Sequence, residues 1–173
     1  MINQIPVNLF RLLLLLMAQL FIFNNINFSS LVNPYVFPLF ILLLPFEMPR
    51  WLLMLTGFGA GLLLDICMTS TGMHAAAGLL IAYLRPFLIN IITPKGTEFE
   101  ISPNVYAQGL TWFIVYLGFT MLMYLTFYFF IEAATFLNFF LMLVKIFLST
   151  LVSVIFMLIF LFLFSAKKKR RFA

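Results

Sequence analysis

The chain has 173 residues, 65% of them apolar, and a mean hydropathy of +1.16, which excludes an ordinary soluble domain and leaves room for one compact body. Its formal charge of +5 does not point to nucleic acid. Lys167, Lys168, Lys169, Arg170 and Arg171 form one cluster directly behind an apolar run, where such charges anchor a span and attract anionic lipid, about 1 kcal/mol each. With five acidic residues, one His and one Cys, there is little material for catalysis, no internal disulfide and no metal-ligand set.

The first apolar run, 7–23, carries Arg11 ahead of a leucine tract. Asn24 and Asn25 follow in place of a small-residue cleavage site, so it reads as an uncleaved first span. The second run, 31–46, is short and holds Pro38 and Pro45. That pattern predicts a tilted, broken or re-entrant helix, because proline survives at membrane depth where neighbours satisfy the freed carbonyl. A third run, 51–67, and a fourth, 72–92, are joined by a short loop. The stretch 93–108 is the longest polar one and carries Lys95, Glu98 and Glu100; its Ser102-Pro103 has the form of an N-cap and first helical position. Runs at 110–131 and 139–164 follow, then the basic tail 165–173.

A span needs about 20 apolar residues to cross about 30 Å of hydrocarbon. The runs nearly exhaust the chain, which predicts one integral membrane domain over 1–173: an all-α, polytopic bundle of about six transmembrane helices. Alternating crossings from a cytoplasmic N terminus put Arg50, Arg85, Lys95 and the tail inside, and leave no Lys or Arg in the outer loops. Trp51 and Trp112 then stand at inner helix starts, where amphipathic rings favour the interface. Both termini are expected in the cytoplasm.

Small residues mark places of close helix approach. Gly57 and Gly61 are four apart, and Gly78 and Ala82 repeat the spacing on the next helix. They serve either packing of the third and fourth helices on each other or the reception of a partner's transmembrane helix. Asp65 continues the Gly57–Gly61 face and needs compensation, since an intramembrane carboxylate is costly. Its candidate partners are the free N–H groups opening the fourth helix near Gly72 and Met73, or Lys145; Glu132 is a rival partner for Lys145. His74, Gly78, Ile81 and Arg85 share one helix face. A lone His makes no metal site, and Ser70, His74 and Asp65 lack a nucleophile elbow, so a structural helix-start histidine is the reading of His74. Lys145, Ser149 and Ser153, and likewise Tyr116, Thr120, Tyr124 and Tyr128, form polar lines that face other helices or wall a ligand cavity.

Gly61-Leu62-Leu63-Leu64-Asp65, then Gly72-Met73-His74-Ala75, then Ile81-Ala82-Tyr83-Leu84, resembles the signature of the rod-shape-determining membrane protein family MreD. Size, predicted layout and basic tail agree over essentially the whole chain; Phe129-Phe130-Ile131-Glu132-Ala133 and Lys145-Ile146-Phe147-Leu148-Ser149-Thr150 also look like versions of that family. The chain departs from many members in reading Met123-Tyr124-Leu125-Thr126 where they carry a histidine. The resemblance implies a non-enzymatic scaffold without cofactors in the bacterial cytoplasmic membrane. It would bind the single-span protein MreC and help couple the MreB filament to the transpeptidase and glycosyltransferase of lateral wall synthesis. It also implies a fold similar to the substrate-binding subunits of energy-coupling-factor vitamin transporters, whose activity, small-solute binding, is the alternative function.

Overall fold

The computed structural model describes residues 5–25, 32–93, 103, 105–133 and 139–164, and these are predominantly helical. Helix α1 (Ile5–Met17) runs on into a π-helical turn (Ala18–Phe23); α2 (Leu39–Leu42), α3 (Arg50–Met68), α4 (Met73–Ile92), α5 (Val105–Gln108), α6 (Leu110–Glu132) and α7 (Phe139–Phe164) follow. Lys95, Glu98, Glu100, Ser102 and the basic tail lie outside the described residues.

Five helices among the described residues are long and apolar enough to cross a membrane: Pro6–Phe23, Arg50–Met68, Met73–Ile92, Leu110–Glu132 and Phe139–Leu163. The second run, 31–46, is not a further helix of this kind but is broken, one of the forms its prolines predict. Its described part holds only the one-turn α2, and residues 34–44 are all buried. Pro34, Pro38 and Pro45 explain the break, since each removes an N–H and fixes φ, so a continuous ladder cannot form. Burial explains why the break is tolerated. Irregular backbone at membrane depth persists only inside protein or beside water.

Helices α3 and α4 form an antiparallel hairpin turned by Thr69 (φ 54°) and Gly72 (φ 81°), both left-handed. Glycine adopts that conformation freely, whereas threonine is strained there. Helix α6 packs antiparallel to α4, with Tyr124 beside His74 at one level and Tyr116 beside Arg85 at the other. Helix α7 pairs antiparallel with α6 through Glu132 and Lys145. The interior segment 32–46 runs alongside α4, from Tyr35 at the level of His74 to Pro45 at the level of Arg85. It is the core on which the long helices close.

Candidate functional site

The glycines predicted to mediate close approach are turned toward each other inside the chain. A Cβ on Gly57 would stand 2.8 Å from the Gly78 carbonyl oxygen and 2.8 Å from the Ala82 Cβ; one on Gly78 would stand 2.6 Å from the Gly57 oxygen. At Gly61 a Cβ would meet the Ala75 Cα at 2.6 Å. Helices α3 and α4 therefore touch backbone to backbone, which in lipid is the main route to dispersion contact. Of the two readings of this face, packing within the chain describes where these four residues sit.

Asp65 is buried at the end of that face and its carboxylate reaches across the turn. Oδ1 accepts from the His74 N–H at 3.1 Å and from the Ser70 hydroxyl, and Oδ2 accepts from the Ala75 N–H at 2.7 Å. The first N–H groups of a helix have no partner of their own, and a carboxylate there also meets the positive end of the helix dipole. Asp65 is thus a cap lent by α3 to α4, which places it with the helix-four donors. Lys145 stands elsewhere, 3.5 Å from Glu132 and 4.5 Å from the centre of the Phe129 ring.

His74 is fully buried. Its Nδ1 lies 2.6 Å from the Tyr124 hydroxyl, its ring stacks on Tyr128 with centroids 4.6 Å apart, and Tyr35 sits 5.4 Å away. Its Nε2 has no protein hydrogen-bond partner. Among the described residues no three His, Cys, Asp or Glu side chains gather as a metal would require.

The polar lines of the later helices converge on the interior segment. Ser149 Oγ accepts from the Asn33 N–H at 3.0 Å and Ser153 Oγ from the Tyr35 N–H at 2.8 Å. From the π-helical turn, Gln19 donates to the Pro34 carbonyl at 3.2 Å and accepts from the N–H groups of Val36 (2.8 Å) and Phe37 (3.4 Å). At the other end Arg85, only 2% exposed, donates through Nε to the Tyr116 hydroxyl at 3.0 Å, through Nη1 to the Pro45 carbonyl at 3.3 Å, and through Nη2 to the carbonyls of Leu42 (3.3 Å) and Leu44. Each of these side chains does for the broken segment what a helix does for itself: it partners backbone groups that lipid cannot.

Sequence reasoning singled out Arg85, Ser149, Ser153 and Tyr116 without their common partner, and it passed over Gln19 and Tyr35. The available signal was an amide interrupting the leucine-rich first run just before a proline-broken one. One outward feature is a groove of about 450 Å³ between α4 and α6, lined by Leu80, Leu84, Leu122, Met123, Thr126, Phe127 and Phe130. Comparisons of the chain with protein-family models, with curated proteins and with solved structures give no match.

Proposed function

We infer that the chain is a non-enzymatic membrane scaffold of the MreD type, which binds an MreC-like single-span protein in the bacterial cytoplasmic membrane. Through that partner it helps couple an MreB filament to the enzymes of lateral wall synthesis. One observation carries the reading. The first two stretches of the resemblance, with Gly61 and Asp65 on one side and His74 and Ala75 on the other, meet as a single packed unit. The Asp65 carboxylate is spent on the backbone N–H groups of His74 and Ala75, which suits a rigid support for partner helices. Arg50, Trp51, Thr93 and Trp112 support cytoplasmic termini, because they stand at one end of α3, α4 and α6, with the Trp112 indole donating to Thr93 at 3.1 Å.

Since the glycine faces are occupied within the chain, the partner's helix takes an outward surface, and the α4–α6 groove is the one to probe. The test is capture of the MreC-like protein encoded in the same genome by tagged chain in lipid nanodiscs, with a photo-crosslinker at Leu122 or Phe127. Capture with crosslinks at these positions and altered cell width on deletion is the expected result. Absence of capture together with unchanged cell width refutes the assignment.

A further inference from the structure

Arg85 is a buried cation that faces carbonyls rather than a carboxylate. The ion pair found among the described residues joins Lys145 to Glu132 instead. Around the guanidinium lie three carbonyl oxygens, of Leu42, Leu44 and Pro45, and the Tyr116 hydroxyl, while the Phe46 ring centre is 5.6 Å from Cζ. These carbonyls converge because α2 stops after one turn and the chain then reaches Pro45, which brings no N–H to continue a ladder. In broken membrane helices, unwound carbonyls of this kind hold free cations.

We propose that the break at 42–45 is a carbonyl site for a flat, guanidinium-class cation, filled in the native chain by the side chain of Arg85. The fork explains the selectivity. Nε, Nη1 and Nη2 direct four N–H bonds outward in one plane onto four acceptors, whereas an ammonium presents three donors on a tetrahedron. A guanidinium is also the more weakly hydrated ion, so it is less costly to hold out of water. Helix α4 thereby carries the ion that fixes the shape of the interior segment, and a shift of α4 is transmitted to 42–45 through it.

Chemical rescue tests this in detergent-purified chain. Arg85→Ala is expected to lower the thermal midpoint by several degrees. Millimolar guanidinium should restore a large part of that loss in a saturable way, while sodium at equal ionic strength does not and the unaltered chain gains nothing. An Arg85→Ala chain as stable as the unaltered one, or one that guanidinium fails to rescue or that sodium rescues equally, overturns the proposal. If Arg85→Ala aggregates under every condition, Arg85→Lys decides, since it keeps the charge and loses the fork. A fall of several degrees then supports the site, and an unchanged midpoint overturns it.

Discussion

In the α3–α4 hairpin the backbone is already bonded within each helix, so side chains can be removed and the two helices brought together at Gly57, Gly61 and Gly78. In segment 32–46 the backbone bonds to itself only through the short turns of 36–44, so side chains are brought in where those turns leave off: Gln19, Ser149 and Ser153 at one end and Arg85 with Tyr116 at the other. The first region has no room for an added atom at Gly57, Gly61 or Gly78, and the second relies on polar atoms brought to it from other helices. Both serve the same constraint, that a peptide group away from water needs a partner. Asp65 joins the two strategies, a polar side chain used where even the hairpin leaves N–H groups open.

Substitutions of opposite kind separate the two regions. The largest effect is expected for Gly61→Leu, because the new side chain meets backbone that cannot give way; a loss of about 3 kcal/mol or more is anticipated from overpacking. Denaturant titration in mixed micelles measures it, and near-normal stability would mean the helices are not in backbone contact. Arg85→Leu follows, at about 3 kcal/mol, since carbonyls left unpartnered in the interior cost about 1–3 kcal/mol each and only part of the segment can relax. Hydrogen exchange should rise at 42–48 while α3–α4 amides stay protected. Uniform exposure of both regions would show that they do not stand separately.

Asp65→Ala should cost about 1–2 kcal/mol, the usual range for a lost helix cap, with Asp65→Asn losing less because one carbonyl acceptor remains. Equal losses for the two variants would transfer the effect from hydrogen bonding to charge. Ser153→Ala removes a single acceptor, and at about 0.6 kcal/mol it is expected near the average for polar contacts between membrane segments. The smallest change belongs to Lys145→Gln. Its Glu132 partner is 41% exposed, so less than about 1 kcal/mol is at stake, and a larger loss would place the pair among the structural supports.

Sequence alone determined the membrane character and five of the helices, because apolar runs of spanning length leave a chain no stable alternative in water. It also marked Gly57, Gly61, Asp65 and Arg85, since glycine and charge are conspicuous in so greasy a chain. Only the tertiary structure decided which partner Asp65 takes and that Lys145 pairs with Glu132, because several partners were compatible with the spacing. It alone decided, among the tilted, broken and re-entrant forms that the prolines left open, that the second apolar run is a broken segment buried in the core. Hydropathy records how readily a residue leaves water and is silent on whether lipid or protein receives it, and that distinction rests on polar atoms as distant in sequence as Gln19 and Ser153.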